Sequence, residues 1–229
     1  MKKSLIVVAV MSLFASLAHA DFSANLSLTS KYKYRGQDQS DAEKDVLPAV
    51  QGGFDFASGG FYLGNWNSSI GFAHGTEMDF YGGYKGEAGG LAYDVGVLQY
   101  YYPGSGASAL NTTELYGAVS FSIVSFKYSH TVSDEYFGIV DGQNTGYFDL
   151  SANYDLGNGL TLNGHLGHTR FPSGAKDAGA VNYTDYKLGV TYDLGSGFSL
   201  GGAVVGADKK DAWGDINKAR AIVTLTKAM

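Results

Sequence analysis

An all-β fold, a single antiparallel up-and-down transmembrane β-barrel of about twelve strands, is what this chain of 229 residues predicts. Three observations lead there. First, from Phe22 to Arg35 the residues alternate between an oily row (Phe22, Ala24, Leu26, Leu28, Tyr32, Tyr34) and a polar row (Ser23, Asn25, Ser27, Thr29, Lys31, Lys33, Arg35). Successive side chains of a strand point to opposite faces, and a membrane-spanning strand needs roughly nine to eleven residues. Second, connections alternate between short glycine-rich turns and longer polar loops, which sorts loop length by barrel end. Third, beyond residue 20 no apolar run reaches the 18 or so residues of a spanning helix. If the chain enters a membrane its strands must therefore close, because an open sheet edge cannot face lipid.

Further strands are expected near 48–57, 60–70, 76–86, 90–102, 111–121, 124–132, 145–156, 160–170, 182–194, 197–207 and 218–229. In the strand at 145–156, Phe148, Leu150, Ala152 and Tyr154 oppose Tyr147, Asp149, Ser151, Asn153 and Asp155. At 182–194, Tyr186, Leu188, Val190 and Tyr192 oppose Asp185, Lys187, Thr191 and Asp193. The facing is ambiguous at 60–70, where Phe61 and Leu63 compete with Tyr62 and Trp66, and at 90–102, where Tyr93 and Val95 compete with Leu98 and Tyr100. Short turns fall at 57–60, 86–90, 122–123, 157–159 and 195–197. Longer loops fall at 36–47, 103–110, 133–144, 171–181 and 208–217, with 71–75 the one short member on their side. Aromatic residues on the oily rows gather at two heights. Tyr32, Tyr34, Phe80, Phe148 and Tyr186 are expected toward the loop end, and Phe22, Phe56, Tyr84, Tyr154, Tyr192 and Phe198 toward the turn end, as in interfacial girdles.

Export is expected from the N-terminus. Met1-Lys2-Lys3, an apolar run from Leu5 to Leu17 and Ala18-His19-Ala20 read as a signal peptide over residues 1–20, cleaved after Ala20, with the barrel occupying 21–229. Losing Lys2 and Lys3 takes the formal net charge from −6 to −8. That acidity, with no basic stripe, argues against nucleic acid as a partner. The composition, with 33 Gly, 17 Tyr, 13 Phe and only 3 Pro, suits many strands joined by tight turns, and the absence of Cys removes disulfides and thiolate metal sites. His74, His130 and His168 lack metal-ligand spacing, so neither a metal nor a cofactor is expected.

The strings TSKYKYRGQDQS (29–40), QGGFDF (51–56), MDFYGGYKGE (78–87), YDVGVLQYYYPG (93–104), TELYGAVSF (113–121), SDEYFG (133–138) and YTDYKLGVTYDL (183–194) together resemble the TorF-type family of proteobacterial porins. The resemblance spans the chain beyond residue 20. It implies a barrel in the bacterial outer membrane that works as a channel, with a largely unassigned solute and no catalytic residues. The implied partners are outer-membrane lipid and lipopolysaccharide, the barrel-assembly machinery and small hydrophilic solutes.

If the oily rows face lipid, the polar rows line the lumen. Lys31, Lys33, Arg35, Lys218 and Arg220, on the first and last strands, are expected to form a basic wall near the loop end. Glu77, Asp79, Glu114 and Asp149 are expected to form an acidic wall across from it. Opposed walls would set up a transverse field over a narrow constriction, since twelve strands fall between filled eight-stranded barrels and open sixteen-stranded ones. Mutual pairing or rim solvation of these charges is the plainer expectation beside it. Two rival functions stand alongside passive diffusion. One is an outer-membrane hydrolase, because Ser151 and His165 are expected opposite one another with Asp149 nearby, the residue types that activate a serine nucleophile. The other is a structural barrel whose lumen is occluded by an inward-folded loop.

Overall fold

The computed structural model describes residues 21–104, 106 and 108–229; the signal peptide expected over 1–20 lies outside them. Its strands are β1 (Asp21–Thr29), β2 (Lys33–Tyr34), β3 (Gln37–Asp38), β4 (Ala49–Ser58), β5 (Phe61–Ser69), β6 (Thr76–Ala88), β7 (Leu91–Tyr101), β8 (Thr112–Phe121), β9 (Val124–Thr131), β10 (Gly146–Gly157), β11 (Leu160–Arg170), β12 (Tyr183–Gly195), β13 (Phe198–Ala207) and β14 (Arg220–Ala228). All but β2 and β3 form one closed antiparallel barrel in which each strand pairs with its neighbour in sequence and β1 seals it by pairing with both β4 and β14. Closure leaves no edge, which is what a sheet surrounded by hydrocarbon requires.

The exterior is a band of exposed hydrophobic side chains. Phe22, Leu63 and Leu188 are each more than 60% exposed, and Phe54, Val95, Leu115, Leu166 and Val204 share their outward parity. A band of that extent far exceeds the apolar patches that water tolerates on a monomeric protein. In the two ambiguous strands, Phe61, Leu63 and Val95 point out, whereas Tyr62 and Tyr100 are buried inside.

The turn end is built by two-residue hairpins. At Gly59–Gly60, Gly89–Gly90, Asn158–Gly159 and Ser196–Gly197 both residues have positive φ, the conformation whose twist matches the flanking strands. Two of these turns repeat one local design. In YDLGNG (154–159) and YDLGSG (192–197) the aspartate Oδ1 accepts the backbone N–H of the glycine two residues on, at 2.7 Å for Asp155 and 2.8 Å for Asp193, and the register shifts by a bulge at the same place.

At the loop end the connections pack into a lid. Tyr136, Phe171, Ala175, Ala180, Tyr183 and Ala207 form one buried cluster, which takes in the short helix α1 (Ser173–Asp177) and is flanked by Trp213 at the end of α2 (Lys210–Trp213). Ile70, Tyr100 and Tyr102 form a second cluster, and Phe137 packs against both.

The main departure from the sequence expectation lies at the first strand. The alternation through Arg35 is real, but the barrel strand stops at Thr29 and the remainder, Lys33–Tyr34, pairs with Gln37–Asp38 in a separate hairpin inside the lumen. Tyr32 and Tyr34 are therefore not part of the outer girdle. Inside, their hydroxyls find partners that lipid cannot offer: Tyr32 donates to Glu77 Oε1 at 2.8 Å, and Tyr34 and Tyr100 share a hydrogen bond of 2.5 Å. The last strand is likewise shorter than expected. It begins at Arg220, which leaves Lys218 on the preceding loop.

Candidate functional site

The hairpin formed by β2 and β3 crosses the barrel. It is tipped by Arg35 and Gly36, both at positive φ (45° and 75°), as a two-residue turn requires. A side chain at Gly36 would not fit, because a Cβ there would lie 2.5 Å from the Cβ of Asp185 and 2.7 Å from the carbonyl oxygen of Gly206. The tip is thus pressed against β12 and β13.

From that tip Arg35 reaches β8, which lies far round the barrel from β1. Its two terminal nitrogens donate to the two oxygens of Glu114 at 2.8 and 2.7 Å, and one of them also donates to the Tyr136 hydroxyl at 2.9 Å. The guanidinium sits 4.0 Å from the centre of the Tyr147 ring. A bidentate pair with a cation–π contact fixes both distance and orientation. Arg35 is thus not on a basic wall. It is a latch from the hairpin to the opposite side.

The hairpin's base is held by charge. Asp38 takes a hydrogen bond from Lys33 Nζ at 2.9 Å and lies 3.7 Å from Lys31 Nζ and 3.5 Å from Arg220 Nε. Lys33 Nζ also donates to the carbonyl oxygens of Ile216 and Lys218, each at 2.9 Å, and Lys31 Nζ to those of Asp41 and Lys44 at 2.6 and 2.7 Å. Arg220 further pairs with Asp45. Lys218 is half-exposed at the rim, 3.6 Å from Asp45. So Lys31, Lys33 and Arg220 gather around one carboxylate, and Arg35 and Lys218 stand apart from them.

The four expected acidic residues are placed in four different settings. Glu77 accepts hydrogen bonds from Tyr32 and Tyr102 at 2.8 and 2.6 Å. Asp79 is buried, with its Oδ1 lacking a hydrogen-bond partner among the described residues. Glu114 is taken by Arg35, while Asp149 belongs to a network lower on the wall.

In that network His165 Nδ1 lies 3.3 Å from Asp149 Oδ2 and His165 Nε2 lies 2.7 Å from Asp185 Oδ1. Ser151 Oγ is 3.3 Å from His165 Nδ1 but donates to Asp149 Oδ1 at 2.5 Å. The three residue types of the hydrolase reading do meet. The serine proton, however, is given to the carboxylate rather than to the imidazole, and Ser151 is paired in register on both sides, with Ser125 of β9 and His165 of β11, in regular ladders that offer no converging pair of free N–H groups for an oxyanion.

Beside the hairpin and above this network is a hollow of about 290 Å³, lined by Lys33, Tyr34, Arg35, Tyr147, Asp149, His165 and Asp185 among others, with Lys127 and Lys187 entering it from β9 and β12. The hub role of Asp38, and Asp185 as the partner of His165, had no sequence signal beyond inward parity or loop position. The Arg35-Gly36 dipeptide between two short alternating pairs was the one available sign of a hairpin.

A model of a bacterial protein family of unknown function (Gcw_chp) matches residues 15–229. No curated protein matches the chain by sequence. Among solved structures, the KdgM porin in complex with disordered oligogalacturonate superposes with a TM-score of 0.58 at 8% identity, covering 91% of this chain and 98% of that one. The NanC porin gives 0.56 at 9% identity with the same coverages. An outer-membrane channel from Pseudomonas putida F1 gives 0.53 at 10% identity, covering 94% and 97%. At these identities the likeness is one of fold.

Proposed function

We propose that this chain, which belongs to the Gcw_chp family of bacterial proteins of unknown function, is an outer-membrane porin-like channel for passive diffusion of small hydrophilic solutes. The observation that carries the proposal is a closed barrel, oily outside and polar inside, whose lumen is crossed by a latched hairpin with a charged hollow left beside it. The TorF-type porin resemblance and the porin fold of the structural neighbours support the same reading. It includes export with cleavage after Ala20, insertion by the barrel-assembly machinery and an outer leaflet of lipopolysaccharide around the oily band.

Selectivity in this reading comes from unequal walls. Lys31, Lys33 and Arg220 gather at β14 and the hairpin base, and Glu77, Asp79 and Glu114 lie on β6 and β8, so a solute passing the hairpin crosses a transverse field in a low-dielectric constriction. Liposome swelling with sugars and amino acids of graded size tests the channel. The expected result is uptake of the smallest members with a sharp cut-off. Uptake of none would replace the channel with a sealed structural barrel. In planar bilayers, Lys33→Glu with Arg35→Glu is expected to shift ion selectivity toward cations; unchanged selectivity would remove these residues from the permeation path.

A further inference from the structure

The charges around the hollow do not balance internally. Arg35 is occupied by Glu114 and Lys33 by Asp38, and Asp149 and Asp185 share the single imidazole of His165. Two cations remain. Lys127 lies 3.9 Å from the centre of the Tyr116 ring and forms no ion pair, and Lys187 has no hydrogen bond, ion pair or ring contact among the described residues. Each has a carboxylate close in the barrel wall, since Lys127 pairs in register with Asp149 and Asp185 lies two residues before Lys187, but both carboxylates are engaged elsewhere. Ammonium groups without an ion pair that line a partly open hollow inside the barrel attract an anion more strongly than the same groups on a flat surface.

We propose that this hollow is a binding station for a small organic carboxylate, held between Lys127 and Lys187 with the Tyr147 edge of the hairpin latch above it. The hollow, about 290 Å³, has room for a compact solute. A carboxylate bridges groups that outnumber the local anions, since Lys127, Lys187 and His165 stand against Asp149 and Asp185, whereas a cation would meet the two lysines. The position directly beside the hairpin places the station on the route a solute must take. This assignment rests on the channel reading for its biological meaning, but binding is measurable without transport.

Isothermal titration of sodium gluconate into the full barrel refolded in detergent, with sorbitol as the uncharged control, tests it. Gluconate is expected to bind and sorbitol not to bind. Lys127→Gln with Lys187→Gln is expected to weaken gluconate binding by about ten-fold or more, each single variant by less, and Lys127→Arg with Lys187→Arg to retain it. Heat-modifiable migration on electrophoresis confirms that each variant is folded; if the Gln pair does not fold, raising the salt concentration on the wild type is the substitute test and must weaken gluconate binding. Absence of gluconate binding to the wild type, or equal binding by the folded Gln pair, overturns the station. Conductance recorded on the same preparation separates the two readings. A conducting barrel that ignores gluconate loses the station and keeps the channel, while one that binds gluconate and never conducts keeps the station and loses the channel.

Discussion

Along β10, Tyr147 and Asn153 belong to the same inward row, yet Tyr147 is buried beneath the hairpin latch whereas Asn153 is only half-buried at the turn end. The same contrast holds along β11 and β12. Near the loops Thr112 and Thr169 are 0% exposed and Glu114 and Asp185 1%, all inward residues that meet hairpin, lid or one another. Near the turns Thr161, Asn163 and Thr191 keep part of their surface in the lumen and bond mostly sideways: Asn163 donates to Asn153 at 2.8 Å and accepts from Thr191 at 2.9 Å. The wall is of one kind from end to end. What differs is that one loop, 30–48, has been folded back into the loop end, converting a polar lining into a dry, ion-paired layer, while at the turn end of β10, β11 and β12 the polar residues stay partly open. On β5 and β7, by contrast, Tyr62 and Asp94 are buried and hydrogen-bonded to each other.

The largest effect should come from removing the hairpin. Replacing residues 31–38 by a Gly-Ser segment of equal length is expected to raise single-channel conductance several-fold in planar bilayers; unchanged conductance would mean that the hairpin does not limit the pore. Next is the latch. Glu114→Gln leaves Arg35 without its counter-charge in a dry layer and is expected to cost about 3 kcal/mol in urea unfolding of the refolded barrel, with much of the loss recovered in Arg35→Met with Glu114→Met. Gly36→Ala is expected to cost about 2 kcal/mol by the same measure, because the tip requires φ of 75° and has no room for a Cβ against Asp185. The smallest effect is expected at the turn end, where Asn163→Ala removes hydrogen bonds that lumen water replaces; a change within about 1 kcal/mol and unaltered conductance are the predicted outcome. A turn-end cost as large as the latch's would erase the contrast.

The twelve barrel strands were legible because each side chain of a spanning strand answers to one of two solvents, lipid or lumen, and a period of two records that choice. Residues 31–38 defeat the same logic. There both faces of the strand meet protein, so the alternation of Lys and Tyr persists while its meaning changes, and Tyr32 and Tyr34 read as lipid-facing when they are hydrogen-bonded inside. The inward parity of Glu77, Asp79, Glu114 and Asp149 was likewise legible, since it follows from strand register. Their partners were not. The pairs Arg35–Glu114 and Tyr32–Glu77 join residues far apart in sequence through the path of a loop, and composition alone does not say whether a loop folds inward. The unpaired state of Lys127 and Lys187 was hidden for the same reason, because it depends on where His165 and the hairpin direct the nearby carboxylates.

The division of the lumen is most directly measured by thiol modification, which is clean in a chain that contains no Cys. With Asn153→Cys, a bulky charged methanethiosulfonate reagent is predicted to react quickly from the turn side and slowly from the loop side, and replacement of the hairpin should make both sides fast. Equal rates from both sides in the intact protein would contradict a lumen narrowed at one end by residues 31–38.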